Sequence, residues 1–237
     1  MSSLSAKSYI ERMIKNPFEI LADEEEGEKK KEERPVMLRE RIAERFLDKR
    51  QIFLWGAVTD RSAEMIVERM MFLESSDPGK PIFFFINSPG GVISSGMAIY
   101  DVMHMISSPV YTITMGMAAS MGAILLTAGE KGHRYVFEHA KVMIHQPLIS
   151  GQIIAPAIDI KIHAEEIKKT RAELNRILAE TTGQPLSRIE KDTDRDYYLD
   201  GKNAVEYGLA DKVLTNFNEL GFFKTAEAKE KKPKKGK

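Results

Sequence analysis

Apolar and polar residues alternate along the chain in blocks that predict β-α units. Residues 51–56 and 82–86 are short apolar runs bounded by turn residues. The second run is continuous, which is typical of a strand buried in a parallel sheet. Between the two runs, Ile66, Met70 and Leu73 recur at helical spacing, and Asp60 or Ser62 is positioned to cap that helix. The pattern therefore predicts a strand, a helix and a second strand in this order.

The same alternation continues towards the C-terminus. Helices are predicted from residue 38 to 47, after the Asn87–Gly91 turn as far as about Ile106, and after Ser120. The remaining predicted elements are strands at 110–115, 134–137 and 141–144, a strand or an arm at 149–155, a long helix at 157–181, and short helices at 186–191 and 203–207. Repeated β-α units predict an α/β fold, with sites where small-residue turns follow the strands.

Composition narrows the class of protein. Lys+Arg and Asp+Glu number 35 each, so no net charge favours nucleic acid or a membrane surface as a partner. The chain has no cysteine, which excludes disulfides, thiolate metal sites and a cysteine nucleophile. It also lacks an apolar run near the ~20 residues that span a bilayer, and its N-terminus lacks a signal-peptide pattern. We therefore expect a cytoplasmic protein with no membrane segment.

Charge runs mark the two ends of the chain. The sequence DEEEGEKKKEER at residues 23–34 is too charged to pack, and Lys224–Lys237 holds seven lysines against two glutamates. We predict a charged leader or propeptide at 1–34, one folded domain at 35–220, and a Lys-rich tail at 221–237.

The stretch Gly116–Ala123 is the strongest candidate for chemistry. It is dense in glycine and alanine and carries Ser120 at its centre, between a predicted strand and a predicted helix. A serine near a helix N-terminus presents its hydroxyl beside backbone N–H groups that suit a developing oxyanion. The alternative is a small-residue helix start that packs tightly on a sheet. The stretch also departs from the G-x-S-x-G elbow, because Ala118 holds the place of the first glycine.

A serine nucleophile needs a base and a group that orients the base. Of the five histidines, His145 is distinctive because it ends a buried-looking strand. Spacing does not identify the carboxylate that would orient the base, because Asp192, Asp194 and Asp196 lie in one short segment. The Gly90-Gly91 turn and Met121 can supply backbone N–H groups, although a plain glycine turn is the ordinary reading.

Several motifs, in one order, resemble the ClpP family, the proteolytic subunits of the Clp protease. They are INSPGG at 86–91, GMAASMGA at 116–123, VMIHQP at 142–147, IEKDTDRD at 189–196 and AVEYGLAD at 204–211. The resemblance implies a ClpP/crotonase-like α/β fold with a protruding strand-helix handle. It implies a serine endopeptidase that needs no metal or organic cofactor.

The resemblance also implies roles for single residues. Ser120 corresponds to the nucleophile, His145 to the general base and Asp196 to the orienting carboxylate. The backbone N–H groups of Gly91 and Met121 correspond to the oxyanion hole.

The family further implies an assembly and partners. Its members form two stacked seven-membered rings, in which Arg195 corresponds to a ring-ring contact residue. An AAA+ ATPase unfoldase of the ClpX, ClpA or ClpC type feeds unfolded polypeptides into the chamber and docks in apolar pockets. Phe83, Phe85 and Met105 match pocket positions, but the two phenylalanines lack the hydroxyl of the usual tyrosines.

The chain departs from the family pattern in three places: the segment 148–155 is about two residues longer and poorer in glycine, the stretch before Leu38 does not match, and the leader is long. These departures suit a paralogous subunit that is active only in mixed rings. A crotonase-type acyl-CoA enzyme is the rival enzyme class, since it shares the fold type and a two-amide oxyanion hole without needing a triad.

Overall fold

The structure, a computed structural model, describes residues 38 to 149, 151 and 154 to 220. The predicted leader at 1–34 and the predicted tail at 221–237 lie outside these residues.

The chain divides into two units, with the boundary between Lys49 and Arg50. The first unit contributes one described helix, α1 (Leu38–Asp48). The described elements of the second unit are β1 (Gln51–Trp55), α2 (Asp60–Ser76), β2 (Ile82–Ser88), α3 (Ile93–Met105), β3 (Val110–Ala119), α4 (Met121–Thr127), β4 (Arg134–Phe137), β5 (Lys141–Ile144), α5 (Ala157–Thr182), α6 (Leu186–Asp192), β6 (Tyr197–Asp200), α7 (Gly201–Tyr207), β7 (Lys212–Leu214) and a 3-10 turn (Phe217–Leu220).

Five parallel strands form the main path of the sheet, in the order β1-β2-β3-β4-β7. The strand β5 pairs in parallel with the end of β3, and β6 pairs antiparallel with β5. Helices follow most of the strands, so the predicted α/β class is confirmed.

The long strand β3 changes neighbours near its middle. Residues 112–114 pair with β4, whereas residues 117–119 pair with β5. The change falls at Gly116, whose φ is +66° and where a Cβ atom would lie 2.8 Å from the Oδ1 atom of Asn87. That same oxygen accepts a hydrogen bond from the N–H of Met117 at 3.2 Å. A glycine is required here, and the strand runs on to Ala119 instead of ending at residue 115 as predicted.

The helix α4 is enclosed by its surroundings. All seven of its residues are buried, and a Cβ atom on Gly122 would lie 3.1 Å from the carbonyl oxygen of Ser88. The small residues of this stretch therefore serve close helix-sheet packing as well as the candidate serine.

The cap of α2 differs from the expectation, and two further features of the described chain bear on the predicted elements. The cap of α2 is Thr59, whose hydroxyl accepts from the N–H of Ser62, and Asp60 lies inside the helix. The described residues of the segment 149–155 form no strand. On α5, Ile158 and Ile162 are exposed, and at about 3.6 residues per turn they lie on a different face of the helix from the buried Leu174 and Leu178.

Two threonines of β3 allow a matched test of buried hydroxyls. Thr112 and Thr114 are both fully buried, but only the Thr112 hydroxyl donates a hydrogen bond, to Leu126 O at 2.8 Å. The Thr114 hydroxyl oxygen has no partner among the described residues. We predict that Thr114→Val stabilises the fold by about 1 kcal/mol because it removes an unsatisfied polar group.

Thr112→Val is the control and is expected to destabilise by about 1 kcal/mol, because it removes a hydrogen bond that is made. Denaturant unfolding of the two variants and the parent chain measures both effects. Equal changes of the same sign would contradict the prediction.

Candidate active site

Ser120 lies at the junction of β3 and α4 in an unusual backbone conformation. Its φ is +55° and its ψ is −121°, and Arg50 is the other non-glycine residue of the described chain with a positive φ. Such a conformation costs of order 1–3 kcal/mol and persists where the surroundings hold it. Here the N–H of Ser120 donates to Met143 O at 2.9 Å, which continues the pairing of β3 with β5 past the last strand residue.

His145 and Asp196 are brought together by strand register. In the antiparallel pair β5-β6, Ile144 lies opposite Tyr197, so the next residues outward are His145 and Asp196. Their Nδ1 and Oδ1 atoms are 3.0 Å apart. Because an ionised carboxylate can only accept, the proton of this hydrogen bond is on Nδ1, and in the neutral form of the imidazole Nε2 is then an acceptor.

Ser120 and His145 line the same narrow cavity, which has a volume of about 20 Å³. The other lining residues are Ile93, Met121, Ile124, Ile144, Pro147, Leu174, Asn175 and Leu178. The His145 side chain is 16% exposed and the Asp196 side chain 57% exposed, so the acid faces solvent more than the imidazole does. Within the described part of the chain, no hydrogen bond joins the Ser120 hydroxyl to His145.

The turn after β2 lies directly against Ser120. A Cβ atom on Gly90, whose φ is +90°, would lie 2.6 Å from the Cβ of Ser120 and 2.7 Å from Ala119 O. Val58 holds this turn, because its N–H donates to Gly90 O at 2.8 Å and its carbonyl accepts from Val92 N at 2.9 Å. Only glycine fits at Gly91 as well, where a Cβ atom would lie 2.1 Å from Val58 O.

Two backbone donors remain near the serine. Among the described residues, the N–H groups of Gly91 and Met121 have no backbone acceptor. Met121 is the first residue of α4, where an amide has no partner within the helix. A helix N-terminus of this kind favours negative charge.

The segment that precedes Asp196 is fastened to its neighbours. The backbone N–H of Gln146 donates to Thr193 O at 2.6 Å, and the Gln146 side chain donates to Asp194 O at 2.7 Å. Thr193 is fully buried, and its hydroxyl donates to Asn175 Oδ1 of α5 at 3.0 Å. Arg171, which also lies on α5, forms an ion pair of 3.3 Å with Asp194. These contacts fix the backbone on both sides of the His145-Asp196 pair.

A buried tyrosine supports the start of this segment. Burial, together with the neighbouring Asp192 carboxylate, raises the pKa of Tyr207. Its hydroxyl therefore stays protonated and donates to Asp192 Oδ2 at 2.9 Å. The guanidinium of Arg188 lies over the Tyr207 ring, 4.8 Å from its centre.

The other predicted site residues lie apart from this cavity. Phe83 and Phe85 share one face of β2, where Phe83 meets Tyr111 edge-on at 5.5 Å and Phe85 stacks on Phe53 at 4.9 Å. Met105 ends α3 and is 84% exposed. Arg195 is exposed, and no ion pair is found for it within residues 38–149, 151 and 154–220.

Comparison with protein-family models matches residues 34–217 to the model described as Clp protease. The chain belongs to the Clp protease family. Membership of the Clp protease family implies a serine peptidase hydrolase, and it suggests oligomeric rings. The resemblance drawn from the sequence motifs is thereby confirmed, together with the fold. The roles of single residues in this ClpP-type protein remain predictions.

None of the helices in the described residues has both the length and the apolar composition that crossing a bilayer requires.

Sequence reasoning missed several residues of the cavity. Leu174, Asn175 and Leu178 reach it from α5, 54 or more positions after Ser120 in the chain. Asn175 is a polar residue on the buried face of an amphipathic helix, which was the available signal. Gln146 and Thr193, which hold the backbone beside the cavity, lie within the motifs at 142–147 and 189–196, but sequence reasoning assigned them no role.

The close approach of Gly90 to Ser120 gives a test of the local packing. We predict that Gly90→Ala destabilises the fold by at least ~1 kcal/mol more than Gly79→Ala. Both glycines have a positive φ, +90° and +77°, but the alanine at position 79 meets nothing within 4 Å. Thermal unfolding of both variants separates the clash from the backbone strain. Equal losses would show that Gly90 does not press on Ser120.

Proposed function

We propose that this chain is the proteolytic subunit of an ATP-dependent Clp protease, a serine endopeptidase that cuts peptides and unfolded proteins inside a double-ring chamber. Ser120 is the nucleophile, His145 the general base and Asp196 the carboxylate that orients the base. The observation that carries this proposal is the 3.0 Å His145-Asp196 hydrogen bond beside the cavity that Ser120 and His145 share.

The chemistry is acyl transfer. The Nε2 atom of His145 accepts the Ser120 hydroxyl proton while the serine oxygen bonds to the carbon of a peptide carbonyl. The imidazolium then gives its proton to the leaving amine as the C–N bond breaks, which leaves an acyl-enzyme. A water molecule repeats the sequence, with His145 again the base, and releases the carboxylate product.

The oxyanion of each tetrahedral intermediate is stabilised by the Gly91 and Met121 N–H groups. Two features support this role. Both amides lack a backbone acceptor in the described residues. Met121 is also the first residue of α4, where the helix dipole favours negative charge. Removing one donor of such a pair typically costs about 10²–10³ in rate.

A second candidate differs in when the site is assembled. The Ser120 hydroxyl makes no hydrogen bond to His145 in the described single chain, which favours a subunit whose nucleophile is aligned only within rings. Catalytic hydrogen bonds are often long before substrate binds, so this observation does not argue against the peptidase itself. The rings are either homomeric, as two stacked heptamers, or mixed with a paralogue.

Exposed apolar residues support the ring assembly and the unfoldase partner. On the first half of α5, Ile158, Ile160 and Ile162 are each 45% or more exposed, which suits the handle where two rings meet. Arg195 is proposed to pair across the rings. The AAA+ unfoldase is proposed to dock at Met105 and at the partly exposed Phe83. The expected third residue, Phe85, is only 3% exposed and packs in the core of this chain, so it is not a surface residue for docking.

The first experiment combines native mass spectrometry of the purified chain with a fluorophosphonate probe. A fourteen-subunit particle labelled at Ser120 is the expected result. Labelling only after a paralogous ring subunit is added would favour the second candidate. Acyl-CoA turnover without any peptide hydrolysis or labelling, in either condition, would overturn the proposal in favour of a crotonase-type enzyme. Ser120→Ala is the control that should assemble but stay unlabelled.

The role of Asp196 is tested by Asp196→Asn. An amide that donates to Nδ1 would force the imidazole into the other tautomer, so we expect kcat to fall by on the order of 10³–10⁴. The measurement is hydrolysis of a fluorogenic peptide. Asp194→Asn is the matched control, because that carboxylate pairs with Arg171 and not with His145. A larger loss in the control than in Asp196→Asn would remove Asp196 from its assigned role.

A further inference from the structure

A hydrogen bond outside the cavity ties the starts of two helices together. The Ser95 hydroxyl, on the first turn of α3, donates to Asp60 Oδ1 on the first turn of α2. Ser95 is only 6% exposed, and the carboxylate acceptor makes the bond charge-assisted. Neither residue contributes to the candidate site described above.

The two segments that this bond joins are the ones that meet at the glycine turn. Val58, two residues before Asp60, holds Gly90 and Val92 through its N–H and carbonyl. Val92 is the N-cap of α3, so Ser95 lies three residues beyond the last contact with Val58. The two backbone hydrogen bonds of Val58 therefore hold the turn at Gly90 and Val92, and the Asp60-Ser95 hydrogen bond holds the chain again just after the turn.

The segment around Val58 is itself fixed. Thr59 and Ser62 form a capping box in which each side chain accepts from the backbone of the other. The Ser62 hydroxyl also lies 3.2 Å from Ala57 O. Asp60 is consequently attached to a rigid helix start, whereas Gly90 and Gly91 are the residues with the greatest backbone freedom. The fixed partner is α2, and the turn is the part that needs to be held.

We propose that Asp60 is a positioning residue, which acts through Ser95 to keep the Gly91 N–H where the oxyanion forms. This inference rests on the proposed peptidase function. If the clamp is released, the two glycines let the donor shift, and a misplacement of about 1 Å in an active site can cost 10²-fold in rate. The donor is displaced and not removed, so the expected loss is smaller than that of deleting it.

Comparing the Asp60→Ala and Asp60→Asn variants separates a positioning role of Asp60 from a role in helix stability alone. A carboxylate in the first turn of a helix also stabilises the helix dipole, and this effect is lost in both Asp60→Ala and Asp60→Asn. The asparagine keeps an Oδ1 acceptor for the Ser95 hydroxyl, whereas the alanine does not. A helix-stability role predicts similar losses in the two variants, and a positioning role predicts rescue by asparagine.

The experiment measures kcat and KM of the full-length chain with a fluorogenic peptide for Asp60→Ala, Ser95→Ala and the double variant. Asp60→Asn and Ser94→Ala are the controls, since Ser94 is the exposed neighbour of Ser95. We expect kcat to fall about tenfold with KM within about twofold, because the lost interaction acts in the transition state. The double variant should be no worse than either single variant, as for residues that act through one bond.

Amide hydrogen exchange at Val58 and Val92 is read in parallel and does not depend on activity. Faster exchange in Asp60→Ala than in Asp60→Asn is expected. Unchanged kcat and unchanged exchange in Asp60→Ala would overturn the inference, as would equal losses of kcat in the alanine and asparagine variants. If the parent chain neither cuts peptides nor reacts with a fluorophosphonate, either alone or with a paralogous ring subunit, the proposed function fails, and the exchange data alone decide whether Asp60 holds the turn.

Discussion

The backbone pairing of β3 is the constraint on which the candidate site depends. The strand β3 pairs first with β4 and then with β5. The change of neighbour occurs at Gly116, where only a glycine fits against Asn87. Because β5 joins the far end of β3, Ser120 and His145 emerge at the same level of the sheet. Because β6 in turn pairs with β5, Asp196 arrives beside His145. Three residues from distant parts of the chain are thus positioned by two ladders of hydrogen bonds that share β5.

Local strain and close packing complete the arrangement. The positive φ of Ser120 turns the chain from strand to helix within one residue, and the enclosed helix α4 holds that turn from the other side. The turn at Gly90 and Gly91, which follows β2, packs directly against Ser120. A rigid frame of this kind keeps donor groups oriented before any charge develops, which is the condition under which backbone dipoles stabilise an anion best.

The sequence predicted most of the elements, although not β6 and β7, and it singled out Ser120 and His145 as candidate residues. Apolar runs located β2, β4 and β5, and the end of a strand distinguished His145 from the other histidines. Spacing alone could not choose among Asp192, Asp194 and Asp196, because the choice depends on the antiparallel register of β5 with β6, which is a long-range property. The length of β3 was underestimated because Gly116 resembles a strand end in sequence.

The His145-Asp196 pair lies one position beyond the last paired residues of β5 and β6, although 51 positions separate the two residues in the chain. The segment 148–155 and α5 both lie between these two residues in the sequence. Because α5 holds the backbone before Asp196 through Asn175 and Arg171, only the length of the segment 148–155 is independent of the alignment of the pair. Insertions or deletions there can remodel what the subunit touches while the imidazole and the carboxylate keep their distance, which makes this loop the natural place for one peptidase scaffold to diversify its assemblies.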